Sequence, residues 1–188
     1  MPPKTPGTPK ITLVLDLDET LVHCDTNKME GADYKFQVEF NSKVYSVWGR
    51  KRPFVDKFLV EVAKIFEVVI FTASQQIYAD EILDELDING VIDHRLFRES
   101  CVYVAGNYLK DLHILGRDLS KVIIIDNSIT SFAYQVENGI PITSWYDDPK
   151  DEELMELLPF LQKLKDVEDV RPYLEKTFTL CKQLEELD

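Results

Sequence analysis

Ile11-Thr12-Leu13-Val14-Leu15-Asp16-Leu17-Asp18-Glu19-Thr20 runs five apolar or β-branched residues straight into two aspartates separated by one leucine. A short unbroken run of this kind predicts a strand buried on both faces, as in a parallel sheet. Open α/β sheets take their ligands beyond the carboxyl ends of their strands, so the chain delivers two carboxylates where a site would form. Strand alternation starts Asp16 and Asp18 on the same side. Like charges that close repel each other unless a cation or a proton lies between them. One reading is a metal-assisted carboxylate site and the other is a strand followed by an Asx-type turn; the stretch alone leaves the two level.

The pattern recurs further along. Glu67-Val68-Val69-Ile70-Phe71-Thr72 is a second buried strand, and Lys121-Val122-Ile123-Ile124-Ile125-Asp126-Asn127 repeats the apolar run into an aspartate. Between the first two lie alternating segments, Tyr34 to Phe40 and Lys43 to Trp48, joined at Asn41-Ser42, which predicts a β-hairpin projecting from the sheet. Pro53 is placed for the first turn of a helix with Phe54, Val55, Phe58, Leu59, Val62 and Ile65 on its apolar face. Ser74 is placed to cap a helix from about Gln75 to Leu86. Short strands are expected at Arg95 to Arg98 and at Cys101 to Val104. An edge strand is expected at Pro141 to Trp145, with helices from Asp151 to Lys165, interrupted near Pro159, and from Asp169 to Phe178. Strand and helix alternate, so the fold class is α/β, a doubly wound parallel sheet with a small hairpin insertion.

The 188 residues suffice for one domain with a substantial core, and 45% hydrophobic content argues for a globular chain. No apolar run reaches the roughly 20 residues of a membrane span. Four of the nine prolines fall in residues 1–10, read as a disordered Pro-rich leader. The three cysteines, Cys24, Cys101 and Cys181, form no CxxC pair, and reduced thiols in the nucleus or cytoplasm are expected. A net charge of −13 disfavours nucleic acid as a partner. A protein this acidic that handles an anion needs a locally positive spot.

Asp16-x-Asp18-x-Thr20, Thr72, Lys110 and Asp126-Asn127 each have an ordinary explanation as caps, turns or solvated charge. Together, at strand ends, they supply a complete set for phosphoryl transfer. Mg2+, a hard cation preferring oxygen, would relieve repulsion between carboxylate and phosphate. Asp16 would be the nucleophile and Asp18 the acid and then the base. Thr72 and Lys110 would hold the phosphoryl oxygens, and Asn127, with Asp126 beside it, would complete the metal shell. Competing motifs fail. As an EF-hand loop the segment has Leu21 where glycine is needed and Asn27 where glutamate is needed. As a cysteine phosphatase loop starting at Cys24, it has Glu30 in place of the phosphate-binding arginine. No Walker loop or GxGxxG occurs, and His94 and His113 read as surface or packing residues.

Asp16-Leu17-Asp18-Glu19-Thr20-Leu21-Val22, Phe71-Thr72-Ala73-Ser74, Gly106 to Leu112 and Ile125-Asp126-Asn127-Ser128 resemble the small C-terminal-domain phosphatases of the haloacid dehalogenase superfamily. Leu115 to Ser120 and Asn138 to Ile142 point to the "small phosphatase-like 2" branch. The resemblance covers about Ile11 to Phe178 and implies a phosphatase domain over 11–178, followed by a helical tail over 179–188. It implies Mg2+-dependent removal of phosphate from phosphoserine or phosphothreonine in a protein or peptide, with the RNA polymerase II C-terminal repeats as the best-known substrate. It further implies that Asp16, Asp18 (through its carbonyl) and Asn127 hold the metal, and that Arg98 reaches the substrate phosphate. Arg98 and Arg50-Lys51-Arg52 are the two candidates for the positive spot. Thr20, Ala73 and Tyr78 are further candidate substrate contacts. In relatives that read a proline beside the phosphoserine, an apolar pocket lies between the hairpin and the helix after the Thr72 loop; Val38, Phe40 and Val47 would line it here. Thr26 and Gln75 stand where those relatives carry large apolar residues, and Val104-Ala105 replaces a basic pair. A monomer is expected. The alternatives are a phosphopeptide-binding module without turnover and a small-metabolite phosphatase on the same scaffold.

Overall fold

The strand β1 (Thr12–Leu15) is the middle of a five-stranded parallel sheet in the order β10-β9-β1-β5-β6. Its neighbours are β5 (Glu67–Phe71) and β9 (Val122–Asp126), and every residue of all three strands is buried. Burial on both faces is what their unbroken apolar sequences require. β6 (His94–Leu96) and β10 (Gly139–Pro141) form the edges. The computed structural model describes residues 1–181.

Pleating divides the core in two. Leu13, Leu15, Val68, Ile70, Ile123 and Ile125 face a cluster covered by α1 (Val55–Ala63), α2 (Gln76–Leu86), α3 (Glu153–Leu164) and α4 (Arg171–Phe178). Val14, Val69, Phe71 and Ile124 face the other cluster, closed by short 3-10 segments that carry Leu112, Leu115 and Phe132. The doubly covered α/β sheet expected from the sequence is present, with α-helices on one face and 3-10 turns on the other.

The insertion is a three-stranded antiparallel sheet in the order β2-β4-β3, made by β2 (Val22–Asp25), β3 (Tyr34–Phe40) and β4 (Lys43–Lys51). Asn41 and Ser42 turn the hairpin with φ of 51° and 58°. Such paired positive φ values match the twist of the flanking strands. A second small hairpin, β7 (Val102–Val104) and β8 (Asn107–Leu109), turns at Ala105-Gly106.

Several boundaries differ from expectation. α1 begins after Phe54, which adopts a left-handed φ of 64°, so Pro53 sits in the preceding turn and not in the helix. α3 continues through Pro159 without a break. Its buried stripe of Leu154, Leu158, Leu161 and Leu164 holds the helix together across the missing N–H. The last edge strand lies at Gly139–Pro141 and not at Pro141 to Trp145.

Residues 1–10, expected as a mobile leader, lie against the amino end of the sheet. Lys4 Nζ donates to the carbonyls of Pro9 and Lys10 at 2.7 and 2.8 Å and pairs with Glu67 at 3.2 Å. The tail expected over 179–188 lies outside the described residues beyond Cys181.

Arg52 was a candidate positive spot, yet its side chain is fully buried. It pairs with Asp151 through two nitrogens at 2.7 and 2.8 Å and with Glu153 at 2.7 Å. It also donates to the carbonyls of Thr20 and Thr143 at 3.2 and 3.0 Å. This guanidinium fastens the loop after β1 to the start of α3. Lys51 pairs with Asp56, and Arg50 donates to the Glu30 carbonyl. The cluster is structural.

Candidate active site

Parallel register places the site. Leu15 lies opposite Ile70 on β5 and Ile125 on β9, so Asp16 and Asp126 follow level with each other and Thr72 lies one residue further along, after Phe71. Asp16, Thr72 and Asp126 therefore gather at one edge although more than fifty residues separate each from the next. The Asp16 N–H still donates to the Ile125 carbonyl at 3.0 Å.

Asp16 is buried and both its oxygens are engaged. Thr20 Oγ1 donates to Oδ2 at 2.7 Å, and Lys110 Nζ donates to Oδ1 at 2.5 Å. The same ammonium donates to Asp126 Oδ2 at 2.6 Å. Burial opposes the charge on Lys110, but the Asp16 and Asp126 carboxylates outweigh it and hold the ammonium above its ordinary range. Burial and the Asp16 charge push the Asp126 carboxyl up to about 6, against the pull of Lys110. The buried cation is the local answer to the chain's acidity. Thr20, expected to touch substrate, instead turns its wholly buried side chain inward onto Asp16.

Asp18 leans towards the helix that follows β5. Ser74 Oγ donates to its Oδ2 at 2.7 Å, Thr72 Oγ1 to the same oxygen at 3.3 Å, and Tyr78 Oη to Oδ1 at 2.8 Å. Burial raises its carboxyl above the ordinary range; the bond from Ser74 works the other way, and the Asp16 charge adds to the rise. A carboxyl shifted upward is suited to carrying a proton near neutrality. Ser74, expected as a helix cap, makes no cap bond, and α2 begins at Gln76. Its service to Asp18 was not readable, because a cap and a long-range donor look alike in sequence.

Arg98 lies beside this cavity. Its Nε donates to the Ala73 carbonyl at 2.6 Å and its guanidinium sits 4.9 Å over the Tyr108 ring. The cavity, about 250 Å³, is lined by Asp16, Asp18, Thr72, Arg98, Lys110 and Asn127, with Ala73 and Asp126 also in its wall. Asn127 Nδ2 donates to Ser144 Oγ at 2.8 Å, which turns the amide oxygen away from that bond.

Among the described residues no three His, Cys, Asp or Glu side chains form a metal cage. The expected set does not need one: it consists of the Asp16 carboxylate, the Asn127 amide oxygen and the Asp18 main-chain carbonyl. This donor set is all oxygen with few charges, which fits Mg2+ and its preference for retained waters. Asp126, read as lying beside the metal, is committed to Lys110 and to the Ser128 N–H at 2.8 Å.

A second cavity of about 210 Å³ adjoins the first, between the β3–β4 hairpin and α2. It brings Val38, Phe40, Val47 and Tyr78 together, as expected, and adds Tyr45 and Ile77. Tyr45 was legible in principle: it pairs across the hairpin with Val38 and shares the face of Val47. Thr26 and Gln75 make part of its wall polar. Cys24 also lines it, and burial pushes this thiol up to about 12, which removes it as a thiolate nucleophile.

Residues 11–171 match the family described as "NLI interacting factor-like phosphatase". "CTD small phosphatase-like protein 2" of Dictyostelium discoideum is 57% identical over 180 residues, covering 96% of this chain and 32% of that protein. The human "Carboxy-terminal domain RNA polymerase II polypeptide A small phosphatase 1" is 48% identical over 167 residues, covering 89% of this chain and 64% of that protein. The chain thus spans from about a third to under two thirds of these relatives' lengths. The structure titled "The Structure of Fcp1, an essential RNA polymerase II CTD phosphatase" superposes with a TM-score of 0.73 at 17% identity, covering 93% of this chain and 66% of that one. At that identity the likeness is one of fold.

Proposed function

The chain belongs to the NLI interacting factor-like phosphatases, and from that membership we propose that it is a Mg2+-dependent phosphatase of phosphoserine and phosphothreonine in proteins, working through an aspartyl phosphate on Asp16. The observation that carries the reading is the buried Lys110 ammonium held at 2.5 Å from Asp16, inside a cavity that also presents Asp18, Thr72 and Arg98.

In this reading Arg98 and Lys110 receive the negative phosphoryl oxygens and Thr72 hydrogen-bonds to one of them. An Asp16 oxygen attacks phosphorus, and a P–O bond forms as the bond to the serine or threonine oxygen breaks. The Asp18 carboxyl gives its proton to that leaving oxygen, so the alcohol departs neutral. Water then attacks phosphorus, Asp18 takes its proton, and inorganic phosphate leaves with Asp16 restored. Bound Mg2+, held by Asp16, Asn127 and the Asp18 carbonyl, supplies positive charge that lessens repulsion between carboxylate and phosphate. Thr20 keeps Asp16 aimed.

The relatives' names carry the RNA polymerase II C-terminal domain as substrate, and phosphorylated C-terminal repeats are the first substrate proposed here. The polar Thr26 and Gln75 in the adjoining cavity leave room for other phosphoproteins. A monomer acting in the nucleus or cytoplasm, with Cys24 and Cys101 reduced, completes the proposal. Among the described residues no helix is long and apolar enough to cross a membrane.

The test is hydrolysis of an aryl phosphate with and without Mg2+, beside Asp16→Asn. Mg2+-dependent turnover that disappears in the variant supports the reading. Turnover that survives in Asp16→Asn overturns it, and binding of phosphopeptide with no turnover identifies a binding module.

A further inference from the structure

Tyr78 lines the apolar pocket and is hydrogen-bonded to Asp18, which lines the catalytic cavity. Its ring lines the apolar pocket and lies 6.2 Å from Phe36, at an interplanar angle of 48°. Its hydroxyl donates to Asp18 Oδ1 at 2.8 Å. The residue that would meet a substrate side chain in one cavity thus holds the proton donor of the other. Asp18 Oδ2 is meanwhile drawn the same way by Ser74 at 2.7 Å. All three donors to this carboxyl come from the segment between β5 and the first turn of α2. These three donors engage both Asp18 oxygens, so a carboxyl that lines the catalytic cavity is tethered towards α2.

We propose that Tyr78 is a positioning residue that couples the apolar pocket to the reaction: an apolar side chain of the substrate peptide, entering the pocket, displaces the Tyr78 ring, and the lost hydrogen bond frees Asp18 to turn towards the leaving oxygen. The occupant is part of the substrate itself, because Tyr78 of the pocket wall lies one hydrogen bond of 2.8 Å from Asp18 of the catalytic cavity, within reach of a single peptide. Its walls of Val38, Phe40, Val47 and Ile77 suit an aliphatic group. A substrate without such a group binds and turns over slowly, since Asp18 remains held. Selectivity then resides in kcat as well as in KM, because occupancy changes the reacting arrangement and not binding alone.

The inference rests on the phosphatase reading above. Its test is a set of phosphoserine peptides in which each position near the phosphoserine is either valine or glycine, assayed for kcat and KM separately. In the wild-type protein, valine at the position that reaches the pocket should raise kcat by about tenfold, the worth of one hydrogen bond to a charged group. Tyr78→Phe keeps the ring and removes the hydroxyl. It should raise kcat for the glycine peptide towards the valine value and bring the kcat ratio near one, while KM still favours valine. A tyrosine that served only packing would lower both peptides alike.

Ser74→Ala removes a donor from Asp18 without touching the pocket and should leave the valine-to-glycine kcat ratio as in the wild type. A valine advantage confined to KM, a kcat ratio that survives in Tyr78→Phe, or one that collapses in Ser74→Ala would each overturn the coupling. Failure of the phosphatase reading is distinct: no peptide would then show hydrolysis that depends on Asp16.

Discussion

Lys110 Nζ stands 2.5 Å from Asp16 Oδ1, and the lysine side chain is only 1% exposed. A buried ammonium needs its counter-charges, and they need it. Lys110→Met should lower the unfolding free energy by about 3 kcal/mol, since Asp16 and Asp126 lose their cation. Urea denaturation measures this. Adding Asp126→Asn to Lys110→Met should recover part of the loss by removing one of the two orphaned charges. Phosphatase activity should be absent from both.

Asp18→Asn keeps the shape of the side chain and removes the transferable proton. Hydrolysis of a phosphoserine peptide should fall by roughly 10²–10⁴-fold. Release of the aryl alcohol in the first turnover should fall much less, because a good leaving group departs without a proton, whereas later turnovers still need Asp18 to take the proton of water. Single-turnover assays of both esters check this, and equal losses in that first step would rule out Asp18 as the acid.

Glu67 opens β5 at the far end of the sheet from the cavity. Burial would raise its carboxyl, but Arg117 at 2.7 Å, Thr12 at 2.6 Å and Lys4 at 3.2 Å win and hold it down at about 2. A depressed carboxyl contributes stability that is complete above its unfolded value of 4.5 and is lost as the pH falls through 4.5 towards 2. The shift corresponds to about 3 kcal/mol. Unfolding free energies measured down this pH range should fall less steeply in Glu67→Gln than in the wild type, and the variant should be less stable at pH 7.

Gly139 faces the Phe132 ring so closely that a Cβ there would lie 2.0 Å from Cε2. Its φ of −93° is open to any residue, so the constraint is packing and not backbone strain. Gly139→Ala should cost about 2 kcal/mol, measured by thermal or urea unfolding. Trimming the ring with Phe132→Leu in the same chain should restore part of it.

What was legible in the sequence follows a physical divide. Strands such as Thr12–Leu15 and the hairpin turn at Asn41-Ser42 announce themselves through neighbours, by apolar runs and by turn chemistry. Parallel strand ends then bring Asp16, Thr72 and Asp126 together with no further information. Ion pairs between distant segments leave no such trace. Arg52 reads as one of three exposed basic residues, yet its partner Asp151 is 99 positions away. Glu67 reads as an ordinary strand start, although four other side chains converge on it. Pro159 carries a strong local signal for a break, which four buried leucines override. Ser74 carries a signal for a cap, and Asp18 takes the hydroxyl instead.

The hairpin of β3 and β4 joins the rest of the molecule where β4 pairs with β2 just beyond the Asp18 loop and where Phe36 packs against the Tyr78 ring of α2. Val38, Phe40, Tyr45 and Val47 all ride on that appendage, whereas Asp16, Asp126 and Lys110 stay on or beside the central sheet. Recognition is accordingly shared between the hairpin and Ile77 and Tyr78 of α2, and Tyr78 ties it to Asp18. Transplanting residues 34–48 from one relative into another should therefore hand over only part of the donor's taste in peptides, the rest staying with the recipient's α2.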